Sequence, residues 1–171
     1  AIGEAGLDFY YNFASKEDQY KCFEMQISVA QELNFPIVIH SREADKEMIE
    51  ILNKSFKYKP FTGVLHCFTG GSELANFALE IGLYLSFSGI ITFKNSLNIQ
   101  EIAMNAPSNR YLVETDSPYL SPVPFRGKSN MPKNTYYVAK YISELRNEPI
   151  EKVALDTWNN TKSLFSRMGI I

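Results

Sequence analysis

A chain of 171 residues with 45% hydrophobic content can bury one sizeable core, and residues 1–171 read as a single domain. Its 17 basic and 19 acidic residues give a formal net charge of -2, which excludes the overall positive footprint of a nucleic-acid binder and leaves any polyanion to local charge or to metal. Cys22 and Cys67 are too few for a disulfide framework and point to a reducing cytoplasm, and no run approaches the roughly 18 apolar residues of a membrane span or the pattern of a signal peptide.

The predicted elements alternate along the chain. Ala1-Ile-Gly-Glu4 is a strand-like run closed by Glu4. Ser15-Lys-Glu17-Asp18 resembles a capping box, and Tyr20, Phe23, Ile27 and Ala30 recur at helical spacing until Asn34 and Pro36 stop the helix. A strand over 36–40 ends on His40. Residues 42–54 then carry Ala44, Met48, Ile51 and Leu52 on one helical face, with acidic and basic residues on the other. The next strand, 61–66, ends on His66. Gly70-Gly71-Ser72 supplies a turn with Ser72 as N-cap, a short helix covers 74–81, and Gly82 is its C′ residue. A strand over 83–87 and a helix over 98–105, capped by Ser96 and ended by Pro107, lead to a buried strand at 111–114 closed by Asp116. Strand then helix, with no hairpin signal, predicts right-handed parallel crossovers.

From Ser117 to Lys133 four prolines interleave with Tyr119, Phe125, Arg126 and Lys128, which reads as a long loop at the site face. Helical periodicity resumes over 134–145 and 150–168, where Trp158, Leu164 and Phe165 are expected to pack inward.

Parallel sheets gather strand ends on one side, so Glu4, His40, His66 and Asp116 would converge there. A neutral imidazole is the commonest borderline-soft ligand, and an ionised carboxylate after apolar residues is costly without a cation or strong donors. The bland alternatives are core histidines held by hydrogen bonds and carboxylates that cap helices. Glu114, two positions before Asp116, either supports the site from below or is a buried hydrogen-bonded carboxyl. Arg42 is either a phosphate clamp or the partner of Asp45 or Glu47 in a surface salt bridge. Arg126, Lys128 and Lys133 give the proline-rich loop local positive charge, while Tyr119 and Phe125 offer stacking faces for unpaired bases.

Four blocks, in order, resemble a known family. Gly3-Glu-Ala-Gly-Leu-Asp8-Phe-Tyr, Ile39-His-Ser-Arg42, Leu65-His-Cys-Phe-Thr-Gly70 and Glu114-Thr-Asp-Ser-Pro118 are similar to the signature blocks of the TatD family of metal-dependent deoxyribonucleases, and the resemblance extends into Ile150-Glu-Lys-Val-Ala-Leu with Asn160 and Phe165. It implies an α/β fold of the TIM-type (β/α)₈ barrel and a centre of one or two divalent ions (Mg, Mn or Zn) held by Glu4, His40, His66 and Asp116. The implied reaction is phosphodiester hydrolysis, with Glu4 bridging two ions and Asp116 acting as both ligand and proton acceptor. The implied substrate is DNA; the residues themselves suggest single strands or frayed ends contacted by Arg42, Tyr119, Arg126 and Lys128, and the cysteine count and lack of a long apolar run predict a cytoplasmic protein without membrane association.

The family also has a His-x-His strand and two further strands ahead of the first of these blocks. On that comparison the chain is expected to hold strands four to eight and to leave barrel edges bare, with the N-terminal portion of the same protein as a further partner. Two other readings share the same residues: a barrel hydrolase of the same metal chemistry acting on a small ester, lactone or amide, and a catalytically inactive fragment serving as a binding module.

Overall fold

The computed structural model describes residues 1–11 and 13–169, and the contacts within it divide the chain into two compact units, Ala1–Tyr84 and Leu85–Ile171. The first unit runs β1 (Ile2–Asp8), α1 (Lys16–Leu33), β2 (Ile37–Arg42), α2 (Asp45–Tyr58), β3 (Gly63–Leu65) and α3 (Ser72–Glu80). β1 pairs with β2 and β2 with β3, both in parallel. Ala5, Leu7, Ile37, Ile39, Val64 and Leu65 are buried, as are Phe23, Ile27 and Ala30 of α1 and Met48, Ile51 and Leu52 of α2. α1 packs on β1 and α2 on β2, so these residues form the unit's core. Each of the larger apolar side chains among them contributes about 1.5–3 kcal/mol by leaving water.

The local signals were accurate here. Ser15 Oγ accepts the Asp18 amide at 3.1 Å and donates to the Asp18 carboxylate at 2.8 Å, while Asn34 ends α1 in a left-handed conformation, φ 52°. α2 begins at Asp45 rather than residue 42 because Arg42 still belongs to β2 and Glu43 turns the chain at φ 53°. Gly71, not Ser72, is the N-cap of α3, and its amide donates to the Asp45 carboxylate at 2.6 Å. Gly82 follows the α3 C-cap with φ 82°, as the sequence suggested.

β1 departs from expectation. It continues through Glu4 to Asp8, so Glu4 lies within the strand rather than closing it. Ile2 faces Ile37 while Ala5 faces Ile39, which places one extra residue on β1 at Gly3-Glu4. Such a bulge bends the strand and re-aims a side chain. The strand goes on because Ala5 and Leu7 resume the buried alternation, with Gly6 between them opposite His40. Gly6 is there for space: a Cβ would collide with the His40 carbonyl oxygen.

The second unit contains β4 (Tyr84–Phe87, which starts at the boundary), α4 (Leu97–Asn105), β5 (Tyr111–Val113), α5 (Thr135–Arg146) and α6 (Ile150–Leu164), with short 3₁₀ turns at Gly89–Thr92 and Pro132–Asn134. β4 and β5 are parallel, with Leu85, Ser86 and Phe87 opposite Tyr111, Leu112 and Val113. Asn160 of α6 donates to the carbonyls of Ser108 and Tyr111 at 2.9 and 2.8 Å and so ties the helix to the entry of β5. Arg146 of α5 donates to the carbonyls of Ala103, Met104 and Ala106 at 2.8, 3.2 and 2.8 Å, satisfying groups that the end of α4 leaves without helical partners. α6 stops at Leu164 rather than 168. Leu164 packs inward, but Trp158 is 55% exposed, contrary to expectation. The buried stripe of α6 is Val153, Thr157, Asn160 and Leu164, and Trp158 sits one residue, about 100° of helix, off that line.

Five strands are present among the described residues, as expected, and the pairings within each unit are parallel. No helix among them is long and apolar enough to cross a membrane.

Two outcomes follow from this packing. Gly6→Ala should destabilise the protein by more than the ~1–3 kcal/mol of ordinary overpacking, because the obstacle is backbone, and chemical denaturation measures it. The second concerns Tyr111, whose ring is fully buried and whose hydroxyl has no hydrogen-bond partner among the described residues. Burial pushes its phenol from an ordinary 10.0 up to about 12, with Asp156 and Glu148 adding to the rise and Arg146 opposing it. The folded state therefore prefers the neutral phenol. That contribution is complete below pH 10.0 and is lost as pH rises from there through about 12. Tyr111→Phe removes a buried hydroxyl that has no partner among the described residues, so it should keep or raise stability near neutral pH and flatten the loss between those two values, as thermal unfolding against pH would show.

Candidate metal centre

The bulge in β1 presents Glu4 to the two histidines. Glu4 Oε1 lies 3.1 Å from Nδ1 of His40 and 2.8 Å from Nε2 of His66. One ligand atom from each residue falls within 4.8 Å of the other two. His40 sits inside β2. His66 follows β3 directly, and its amide continues the ladder by donating to the Ile39 carbonyl at 2.9 Å. The expected convergence of Glu4, His40 and His66 is therefore present in the first unit, with Glu4 53% exposed and His66 mostly covered.

Asp8 was not singled out by the sequence reading. Its Oδ2 lies 3.0 Å from Nε2 of His40, while Oδ1 accepts the amides of Tyr10 and Tyr11 at 3.0 and 3.1 Å. Burial raises the Asp8 carboxyl, but the Tyr11 amide, the His40 ring and the Tyr10 amide outweigh it and hold the group below its ordinary value of 3.8. An ionised Asp8 can only accept, so Nε2 of His40 carries the proton and Nδ1 of a neutral ring offers its lone pair toward Glu4. This is the carboxylate–histidine arrangement that orients metal-binding imidazoles. The signal was in the sequence: Glu4, Gly6 and Asp8 are spaced by two, and a strand continued past Glu4 puts them on one face.

Two imidazole nitrogens aimed at one carboxylate oxygen need a proton on each ring or one shared cation. The donor set of one carboxylate and two imidazoles fits a borderline divalent ion such as Zn²⁺ better than Mg²⁺, which favours oxygen ligands.

In the second unit the amide of Glu114 extends the β5 ladder by donating to the Phe87 carbonyl at 3.0 Å, and Asp116 lies beyond the strand in a left-handed conformation, φ 56°. The regular strand assumed between them is absent, yet their carboxylate oxygens lie within 4.8 Å of each other. Carboxylates this close repel unless a proton, a donor or a cation lies between them. The loop beyond is pinned by buried Asn130, whose side-chain amide donates to the carbonyls of Thr115 and Tyr119, both at 2.7 Å, and whose side-chain oxygen accepts from Met131 and Asn134 at 2.9 Å. Those bonds bracket Asp116.

The expected substrate contacts fare unequally. Arg42 lies over the Tyr10 ring, 3.8 Å from its centroid, and the acidic residues weighed as its partners are engaged elsewhere, Asp45 with the Gly71 amide and Glu47 with Lys16 at 3.7 Å. The salt-bridge alternative is thus replaced by ring stacking. Tyr119 and Lys128 are exposed, and Arg126 lies over Phe93 at 3.5 Å. Phe125 meets Tyr137 edge to face at 4.9 Å, so its ring is spent on packing.

Comparison with known proteins points to one family. The profile of a family described as TatD related DNase matches residues 1–166. The chain is 43% identical over 165 residues to the uncharacterized metal-dependent hydrolase YabD of Bacillus subtilis, covering 96% of this chain and 64% of that protein. It is 44% identical over 165 residues to the uncharacterized metal-dependent hydrolase YcfH of Escherichia coli, covering 96% and 62%. It therefore spans less than two thirds of the length of these relatives. Among solved structures, the TatD homolog YJJV of Escherichia coli superposes with a TM-score of 0.90 at 27% identity, over 98% of this chain and 64% of that one. A TatD family hydrolase from Entamoeba histolytica superposes with a TM-score of 0.84 at 22% identity, over 98% and 64%, which bears on the fold alone.

Removing the charge of Asp8 should loosen the orientation of His40. Asp8→Asn is expected to weaken divalent-ion binding about 10–100-fold, read by isothermal titration calorimetry.

Proposed function

The chain belongs to the TatD-related DNase family, and from that membership we propose that the protein hydrolyses phosphodiester bonds of DNA with a divalent metal. The observation that carries the reading is the bracketing of Glu4 Oε1 by the ring nitrogens of His40 and His66. Bound there, a divalent cation supplies activation of water and neutralisation of charge developing on the phosphate. The chain's own residues do the rest.

Glu4, His40 and His66 hold the ion, and Asp8 fixes the tautomer and orientation of His40. Asp116 keeps the roles that the family resemblance implies, ligand and acceptor of the proton lost by water. Arg42 clamps a phosphate. Stacking on Tyr10 occupies the guanidinium face, whereas its N–H donors lie in the guanidinium plane and suit phosphate oxygens. Exposed Tyr119, Arg126 and Lys128 contact a single-stranded or frayed end, supplying locally the attraction that a net charge of -2 does not. Two cysteines, Cys22 and Cys67, suit a reducing cytoplasm.

His66→Ala in the full-length protein tests this. Loss of one ligand should lower divalent-ion affinity and DNA cleavage together, each by more than the roughly 10–100-fold expected for an outer partner. Calorimetry and a labelled-DNA cleavage assay measure the two. Cleavage by the variant at the wild-type rate, or a wild type active only on a small ester or amide, would reject the mechanism.

A further inference from the structure

The segment leaving β1 exposes three large aromatic rings within four residues. Tyr10, Tyr11 and Phe13 are 54%, 45% and 88% exposed. Tyr10 and Tyr11 meet edge to face with centroids 4.8 Å apart, and Tyr11 and Phe13 stack at 5.2 Å with their planes 16° apart. Clustered rings open to water mark a contact surface, whereas single exposed apolar residues do not.

These rings are tied to the metal centre by one group. Asp8 accepts the amides of Tyr10 and Tyr11 through Oδ1 and engages Nε2 of His40 through Oδ2, so the carboxylate that sets the imidazole also sets the backbone under the rings. A cation stands beside them: the Arg42 guanidinium lies 3.8 Å from the Tyr10 centroid and 5.0 Å from that of Tyr11, on the strand that carries His40. Aromatic faces, a guanidinium and an adjacent metal-binding cluster form a surface with places for a base, a phosphate and a scissile bond.

We propose that Tyr11 and Phe13, braced by Tyr10, form a stacking platform for an unpaired base of a DNA strand whose neighbouring phosphate is held by Arg42. The occupant rests on the phosphodiester reading above. The platform itself rests on the ring geometry. A ring face accepts any base, because every base has a π-face, and it accepts a base in single-stranded form, because duplex bases are already stacked on each other. The subsite would therefore select strand ends over duplex interiors without selecting sequence.

The test uses full-length protein freed of metal with a chelator and follows fluorescence anisotropy with two labelled single strands of equal length and charge, one carrying thymine bases and one built from abasic sugars. Wild type should bind the base-carrying strand about tenfold more tightly, the scale of stacking one base. The double variant Tyr11→Leu with Phe13→Leu keeps apolar bulk without a π-face and should bind both strands alike, while Phe13→Tyr should retain the preference. Equal binding of the two strands by wild type, or an undiminished preference in the double variant, would overturn the platform. The phosphodiester reading fails separately, if metal-loaded wild type leaves both strands uncut while the chelated protein still prefers bases.

Discussion

The parallel register of β1 against β2 is the constraint on which the first unit's chemistry depends. With Gly6 opposite His40, that histidine sits between Glu4 and Asp8. Any side chain at residue 6 would push the strands apart, and the bulge at Gly3-Glu4 turns the Glu4 carboxylate to where both ring nitrogens can address one of its oxygens. Shifting β1 by one residue against β2 would send Glu4 and Asp8 to the face now filled by Ala5 and Leu7, away from His40. Hydrophobic burial on one face thereby enforces the polar geometry on the other.

In the second unit polar anchors do comparable work. Arg146 closes the end of α4, Asn160 ties α6 to the entry of β5, and Asn130 gathers the loop on either side of Asp116. Each is a buried or nearly buried group with several partners, so truncating one strands carbonyls at about 1–3 kcal/mol apiece. In the proline-rich stretch Asn130 adds side-chain bonds to the backbone turns at Tyr119, Phe125 and Lys128, and Asp116 keeps its left-handed backbone inside that frame.

A family with deoxyribonuclease in its description poses a problem for a chain with more acidic than basic residues. On the proposed reading, binding is a matter of placement. Arg42 stacks beside the aromatic segment that follows β1, and Arg126 stacks on Phe93 in the second unit. A guanidinium lying over a ring is oriented before a ligand arrives, so less rotamer entropy is lost on binding than by a free lysine.

Much of this was legible in the sequence because its signals are local. Helix starts at Ser15, stops at Asn34 and Gly82, and the strand-then-helix alternation depend on residues three or four apart, and the chemistry of His40, His66, Glu4 and Asp116 follows from residue type. What only the tertiary structure decided involves partners distant along the chain. The extension of β1 past Glu4 depends on pairing with β2, some thirty residues on; the role of Asp8 appears only when His40 is beside it; Arg42, the last residue of β2, turns to Tyr10 instead of to the acids of α2; and Trp158 lies outside the buried line of α6 by one residue. Periodicity states that a face exists. Register and bulges, which depend on the cross-strand neighbour, determine which residues occupy it.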